Sequence, residues 1–146
     1  MSKRPIVDIT THCACGAVTL HVAGPVLSML LCACEDCQKA TGTGHSAVVL
    51  ARAQDVAITG ALTEFARPAE SGATLTRAFC PRCGTPVVAR SSRADGIVML
   101  PAGLFGADTD WYAPSQLIFA RSHRAWDEIA AALPRHQTYR ETGALP

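Results

Sequence analysis

The chain has 146 residues, of which 49% are hydrophobic, 5% aromatic and 17% charged, and its formal net charge is +1. This length predicts a single domain, and the apolar content excludes an intrinsically disordered chain because there is ample apolar surface to bury. The charge is near neutral and Lys and Arg do not form runs, which argues against a nucleic-acid or anionic-membrane partner.

Short apolar segments bounded by turn residues follow one another along the chain and predict nine β-strands. In chain order they are 17–22, 26–31, 45–52, 56–59, 62–66, 73–79, 87–89, 97–100 and 116–120. Gly60 indicates a turn between two of these strands, which is compatible with a hairpin. Helix is predicted at two places, a short turn at 35–40 and a C-terminal helix at 125–133 that Pro134 ends. The pattern as a whole predicts a mainly β fold, either a sandwich or a barrel.

No stretch reaches the roughly 18 consecutive apolar residues of a membrane span, and the first residues lack the apolar segment of a secretory signal. We therefore expect no membrane partner and a cytoplasmic protein whose thiols stay reduced. No repeat or low-complexity linker is present, so one domain is predicted over 1–146, with its core at about 8–134. Residues 135–146 fit either a loose tail or an arm that docks on a partner subunit of a homo-oligomer.

Seven cysteines fall into three closely spaced groups: Cys13 and Cys15; Cys32, Cys34 and Cys37; Cys80 and Cys83. In a reducing compartment, such groups predict metal ligands rather than disulfides. Residues i and i+2 of an extended segment share a face, so a Cys-X-Cys pair can offer both sulfurs to one ion. The tight turn of Cys-X-X-Cys also brings two sulfurs together. Thiolate-rich ligand sets favour zinc over harder ions, with an iron–sulfur centre as the main competitor.

The seven cysteines can be divided into a set of four and a set of three, one set for each of two zinc sites. A closed structural zinc site takes four ligands, and three protein ligands with an open fourth position are the pattern of a functional zinc. Compactness favours Cys32, Cys34 and Cys37 on one ion, with the two pairs sharing the other. The rival partition joins Cys34 and Cys37 with the later Cys-X-X-Cys as a zinc ribbon, and leaves the remaining three cysteines without a site. Two zinc ions per chain are therefore predicted.

The cysteines stand within longer motifs that are typical of one family. The motifs are Cys13-Ala-Cys15-Gly16, Cys32-Ala-Cys34-Glu-Asp-Cys37-Gln-Lys39, Arg77-Ala-Phe79-Cys80-Pro-Arg-Cys83-Gly84, Leu117-Ile118-Phe119, Arg121-Ser122, Trp126 and Pro134. On these residues, from about 13 to 134, the chain resembles the glutathione-dependent formaldehyde-activating enzyme family, which includes centromere protein V-like proteins. All seven cysteine positions match the family pattern in order.

The resemblance implies a β-tent fold, in which antiparallel sheets are held by a structural zinc on the two cysteine pairs. It implies a second zinc on the triplet of Cys32, Cys34 and Cys37, assigned to catalysis, and a carbon–sulfur lyase activity like that of S-(hydroxymethyl)glutathione synthase. The implied partner is a small thiol such as glutathione. One residue departs from the family pattern, because Ala33 stands where many members have His.

The chemistry of the triplet supports two hypotheses. A zinc held by three thiolates is electron-rich and a poor Lewis acid, so it is better suited to activating a thiol than water. The first hypothesis is therefore an enzyme that condenses a small thiol with formaldehyde or a related aldehyde to give an S-hydroxyalkyl adduct. The alternative is a non-catalytic zinc module that serves as a thiol carrier, a sensor or a protein-interaction domain.

Further residues near these motifs are weaker candidates, since each also has an ordinary structural role. The histidines suit strands, the acids a solvated turn, the cations the surface and the aromatics the core. They are His12 and His45 as ligands, Glu35 and Asp36 as proton shuttles, Lys39 and Arg77 as carboxylate-binding groups, and Trp111, Tyr112 and Trp126 as pocket walls.

Overall fold

The computed structural model describes residues 4–140. Within that range the chain forms ten β-strands, one α-helix and three short 3-10 turns. The elements are β1 Ile6–His12, β2 Thr19–Pro25, β3 Ser28–Cys32, α1 Glu35–Thr41, β4 Ser46–Arg52, β5 Val56–Thr59, β6 Thr63–Pro68, β7 Thr74–Phe79, β8 Pro86–Ser91, β9 Ile97–Pro101 and β10 Leu117–Ile118, with 3-10 turns at Ala53–Asp55, Ala102–Phe105 and Ala120–Ser122. The mainly β class predicted from the turn spacing is confirmed.

The strands form two sheets. The smaller sheet has the order β1-β2-β5, and the larger has the order β10-β3-β4-β9-β8-β7-β6. Every pair is antiparallel except the short β10, which runs parallel to β3. The expectation of antiparallel sheets therefore holds for all strands but the edge strand β10.

The larger sheet has two apolar faces with different surroundings. On β4, Val49 and Ala51 point into the main core, where they join residues such as Leu20 of β2 and Leu100 of β9. Their alternation with Val48 and Leu50 follows from the two-residue period of a strand. Leu50 packs in a second cluster, which also contains the cysteine triplet. One face thus packs against the smaller sheet, and the other face carries the cysteine triplet.

The short helix α1 confirms the predicted turn at 35–40, whereas the predicted C-terminal helix at 125–133 is wrong. That segment forms isolated turns, closed by hydrogen bonds from Asp127 N to Arg124 O and from Leu133 N to Ala130 O, both 3.1 Å. A nine-residue helix is only marginally stable by itself. Tertiary contacts override the helical tendency of this segment. The Asp127 carboxylate bonds to His45 at 2.7 Å, and Leu133 packs against a cluster of Leu31, Ala33 and Leu117.

The structure differs from the sequence prediction at two further places. Strand β1 was not among the predicted strands, although its Thr-rich sequence pairs with β2 along its full length. The hairpin expected around Gly60 is not formed, because β5 pairs with β2 in the smaller sheet while β6 pairs with β7 in the larger one. Gly60 is therefore the crossing point between the two sheets.

The C-terminal segment is described as far as residue 140. Leu117 bridges Arg135, and the backbone N–H groups of Phe119 and Ala120 donate to the carbonyls of Thr138 and His136 at 3.0 and 2.9 Å. Residues 135–140 of the predicted tail thus lie along β10, and residues 141–146 fall outside the described range. Across the described chain, no helix has the length and apolar character that crossing a membrane requires.

Candidate metal centres and the adjoining cavity

Two turns from different sheets bring together the four cysteines of the two pairs. Cys13 and Cys15 lie in the turn between β1 and β2, and Cys80 and Cys83 lie in the turn between β7 and β8. Each turn is closed by a backbone bond from the following glycine, Gly16 N to Cys13 O at 3.0 Å and Gly84 N to Cys80 O at 2.9 Å. Both glycines have left-handed φ angles, +79° and +76°, which explains why glycine stands after each pair.

The geometry of these four sulfurs fits a tetrahedral zinc ion. All four Sγ atoms lie within 4.8 Å of one another. The Cys13–Cys15 and Cys15–Cys80 sulfur separations are 3.6 and 3.7 Å. Four thiolates about 2.3 Å from a tetrahedral zinc would lie roughly 3.8 Å apart, so the cluster needs little rearrangement to hold the metal.

Hydrogen bonds around this cluster favour ionised sulfur. The Thr85 hydroxyl, 3.2 Å from the Cys83 sulfur, lowers the pKa of Cys83 to about 5 together with the Thr85 backbone N–H. A backbone hydrogen bond from Ala17 acts in the same direction on Cys15, but burial and the neighbouring thiols outweigh it and raise the pKa of Cys15 to about 11. Sulfurs this close cannot all be thiolates without a cation among them, which is the role a divalent metal would have.

The remaining three cysteines form a second cluster at the end of β3. Cys32 is the last residue of that strand, Cys34 is the N-cap of α1 and Cys37 lies in its first turn. Their Sγ atoms are also within 4.8 Å of one another. The Cys34 sulfur accepts a hydrogen bond from the Cys37 backbone N–H at 3.3 Å. In the described chain this cluster contains no ligand beyond the three cysteines.

The hydrogen bonds within this triplet favour negative charge on Cys34 over the other two sulfurs. Hydrogen bonds from the thiols of Cys32 and Cys37 lower the pKa of Cys34 to about 2. The same contacts raise the pKa of Cys32, whose thiol is held protonated beside the Cys34 thiolate. A hydrogen bond from Cys32 lowers the pKa of Cys37, but its contact with Cys34 and burial raise it to about 11. The cluster therefore has the sulfur chemistry that suits zinc and one ligand fewer than a closed site.

The triplet lies in the wall of a cavity of about 900 Å³. The floor of the cavity is the second face of the larger sheet, and its rim includes α1 and the segments around residues 70 and 120. Four arginines line it, namely Arg67, Arg93, Arg121 and Arg140. Neither cysteine pair lines this cavity, so of the two clusters it is the triplet that adjoins it, and its volume is large enough for a small molecule.

Arg67 is the arginine most closely tied to the triplet. Its side chain is only 16% exposed, it pairs with Asp36 of α1 at 3.2 Å, and its charge helps to keep the pKa of Cys34 low after the neighbouring thiols. Its Nε is buried and has no hydrogen-bond partner among the described residues. A buried N–H group without a partner is unfavourable. The Arg67 side chain also lines the cavity, which places a positive charge beside the triplet.

Phe119 holds a strained conformation on the cavity wall. Its φ is +55°, and it is the only residue other than glycine with a positive φ within 4–140. The ring packs edge-on against Tyr139 with centroids 4.8 Å apart, and the Arg121 guanidinium lies 5.5 Å above it. Strain of this kind persists where surrounding contacts enforce it and is common near functional sites.

The weaker candidates are mostly engaged elsewhere. His45 bonds to Asp127, His12 to Thr19, and Arg77 stacks on Phe65, while Trp111 and Tyr112 pack against the main core and Trp126 is 69% exposed. Lys39 is exposed and does not line the cavity. Of this group, Glu35 and Asp36 do line the cavity and pair with Arg124 and Arg67, both at 3.2 Å.

The residue that departs from the family pattern faces away from the cavity. Ala33 is fully buried in a cluster with Leu31 and Leu117, and its N–H donates to Ile118 O at 3.0 Å. It is absent from the cavity lining, whereas Cys32 and Cys34 on either side belong to it. Position 33 therefore does not contribute to the cavity wall in this chain.

Fold and site together define a small β protein with a four-thiol cluster that joins its two sheets and a three-thiol cluster beside a cavity. Comparison with known proteins agrees with this class. The family model for the glutathione-dependent formaldehyde-activating enzyme matches residues 8–122, and the chain belongs to this family.

A solved structure supports the fold independently. A protein from Rhodobacter sphaeroides, whose crystal structure was a structural genomics target, superposes with a TM-score of 0.55 at 20% identity, over 68% of this chain and 89% of that chain. No curated protein matches the chain. At this level of identity the structural likeness concerns the fold alone.

Proposed function

We propose that the protein condenses a small thiol, glutathione, with formaldehyde or a related aldehyde to give an S-hydroxyalkyl adduct. In this proposal Cys13, Cys15, Cys80 and Cys83 hold one zinc ion that maintains the fold, and the triplet holds a second zinc ion at the reaction site. The observation that carries the proposal is the three-thiol cluster in the wall of an arginine-lined cavity. Family membership gives the same thiol and aldehyde class.

The surroundings of the triplet suit each part of this reaction. A zinc ion on three thiolates would lower the pKa of an added thiol and make it a nucleophile at neutral pH. The thiol gives its proton to water, its sulfur forms a bond to the carbonyl carbon, the C=O π pair moves to oxygen, and that oxygen takes a proton back from water. The cavity raises the local concentration of both reactants, and Arg93 on its wall is suited to a carboxylate of glutathione, whereas Arg121 is paired with Glu70 at 2.7 Å.

Arg67 is proposed to stabilise the oxygen on which charge develops. Its guanidinium, which lines the cavity and is oriented by Asp36, is the proposed donor. Arg67→Lys keeps the positive charge but removes this donor and the fork geometry. A hydrogen bond to a charged group is worth about 1.5–3 kcal/mol, so kcat should fall about tenfold to a hundredfold with little change in the KM for glutathione.

The matched control for this prediction is Arg90→Lys. Arg90 also pairs with a carboxylate, Glu64 at 2.7 Å, but it lies outside the cavity lining. Its replacement should leave kcat and KM unchanged. Equal effects of the two substitutions, or a rise in KM without a fall in kcat for Arg67→Lys, would contradict the assigned role.

The function itself is tested with zinc-loaded protein in two assays. Exchange NMR measures the rate of S-hydroxymethylglutathione formation above the spontaneous rate, and calorimetry measures glutathione binding. We expect an accelerated rate and a measurable heat of binding. A rate equal to the spontaneous one, together with no binding, would rule out the proposal.

A cytoplasmic setting and a single functional domain are parts of the same proposal. All seven cysteines are free thiols in the structure, and a reducing compartment would keep them available as ligands. Oxidation of the triplet to a disulfide would remove two of its three ligands.

A further inference from the structure

The cavity floor is an apolar strip that begins directly beside the triplet. Cys32 and Leu30 lie two positions apart on β3 and face the same side, about 7 Å along the strand. Leu30 pairs with Val48 of β4, and Leu50 pairs with Met99 of β9. The strand register thus places a continuous row of aliphatic side chains and a thioether across three neighbouring strands.

This strip is packed together with the cysteines. Leu30 and Leu50 are 7% and 2% exposed, and the partly buried Val48, Ile97 and Met99 pack in the same cluster as the triplet. All of these residues line the cavity. The charged groups are located elsewhere on its wall, on α1 and beside the arginines, and Ser28 of β3 is a polar lining residue at the end of the strip, opposite Leu50. A ligand held at the triplet would therefore meet apolar surface on one side and charged groups on the other.

Neither glutathione nor formaldehyde would make use of the apolar strip. The tripeptide is polar and charged at both ends, and formaldehyde has one carbon. The cavity of about 900 Å³ is near the upper end of the range for small-molecule sites, roughly 300–1,000 Å³. The apolar wall beside the sulfur cluster thus corresponds to a part of the substrate that those two molecules lack.

We infer that the carbonyl substrate carries an apolar substituent, as in a straight-chain or arylalkyl aldehyde, and that this substituent lies on the strip formed by Leu30, Val48, Leu50, Ile97 and Met99. The inference rests on the proposed thiol–aldehyde condensation at the triplet. The thiolate sulfur bonds to the aldehyde carbon, the π pair passes to oxygen and water supplies the proton, so no oxidant or reductant is needed. The substituent on that carbon is then held next to Leu30 and Val48.

Stable analogues of the adduct test the inference through binding alone. Calorimetry on the full zinc-loaded chain would compare S-methyl-, S-butyl- and S-hexylglutathione. Each methylene that is fully buried should lower Kd up to about fourfold, so the affinity should rise steadily along the series. A Kd that does not change with chain length, or no binding of any analogue, would overturn the inference.

Two methionines on opposite faces of the larger sheet provide the variant and its control. Met99→Gln introduces a polar amide into the strip and should flatten the dependence of Kd on chain length. Met29→Gln makes the same change on the core face of β3, where Met29 is also partly buried, and should preserve the dependence. Loss of the dependence in Met29→Gln but not in Met99→Gln would contradict the location. If a variant does not fold, the Kd values of the three analogues for the wild-type protein still test the inference.

Rates with formaldehyde and hexanal separate this inference from the proposed function. Accelerated condensation of formaldehyde with a flat analogue series would support the function and overturn the apolar subsite. A rising analogue series without acceleration of either aldehyde would support the subsite and contradict the condensation. Preferential acceleration of hexanal would support both.

Discussion

Replacing Cys80 by Ser is expected to unfold the protein. Cys80 is completely buried, and its sulfur meets that of Cys15, 65 residues away in the chain. The four-cysteine cluster joins the β1–β2 turn of the smaller sheet to the β7–β8 turn of the larger one. Structural zinc contributes roughly 10–16 kcal/mol in zinc-finger peptides, and domains are stable by only about 5–15 kcal/mol. Removing one thiol of the proposed structural zinc site is therefore expected to destabilise the whole fold.

Circular dichroism, a thermal melt and metal analysis would measure this effect. We expect Cys80→Ser to lose the cooperative transition and to retain little zinc, and we expect chelation of the wild-type protein to have the same result. A variant that melts like wild type while carrying one zinc ion fewer would show that this cluster is not what holds the sheets together.

Replacing Cys34 by Ser should abolish thiol binding while the fold survives. All three thiols of the second cluster come from residues 32–37, so this cluster does not link distant parts of the chain. Cys34 is also the N-cap of α1, a position at which Ser is among the preferred residues because its oxygen accepts the same backbone hydrogen bond. The helix should therefore persist, with a change in melting temperature of a few degrees at most.

The expected readouts for Cys34→Ser are one zinc ion instead of two, no heat of glutathione binding and a condensation rate equal to the spontaneous one. Because Cys80→Ser makes the same change of atoms, the pair of variants separates a functional site from a structural one. Unfolding of Cys34→Ser would instead favour the alternative hypothesis, a module in which both metal ions are structural.

The division of the cysteines was predictable because it depends on local geometry. Each pair sits in a tight turn followed by glycine, and the triplet spans a strand end and the first turn of a short helix, so its three sulfurs are neighbours without any knowledge of the fold. The structure brings together the same two groups that compactness favoured, and does not form the zinc-ribbon arrangement.

The cavity could not be predicted in the same way. Arg67 comes from an edge strand of the larger sheet, Phe119 from the backbone after β10, and Tyr139 from a segment expected to be either a loose tail or an arm that docks on a partner subunit. Their convergence on the triplet depends on strand order and on the C-terminal residues that lie along β10. No local spacing encodes either of these, and the 125–133 segment shows how tertiary contacts can also override a helical pattern.

The most direct test of the account is whether the triplet's metal accepts an external thiol. Cobalt(II)-substituted protein gives thiolate-to-metal absorption, which can be followed as glutathione is added, with S-methylglutathione as the control that lacks a thiol. We predict that the absorption of the wild-type protein increases to saturation with glutathione only, and that Cys34→Ser shows no increase. A wild-type spectrum that glutathione leaves unchanged would contradict the claim that the second site has an open position for substrate.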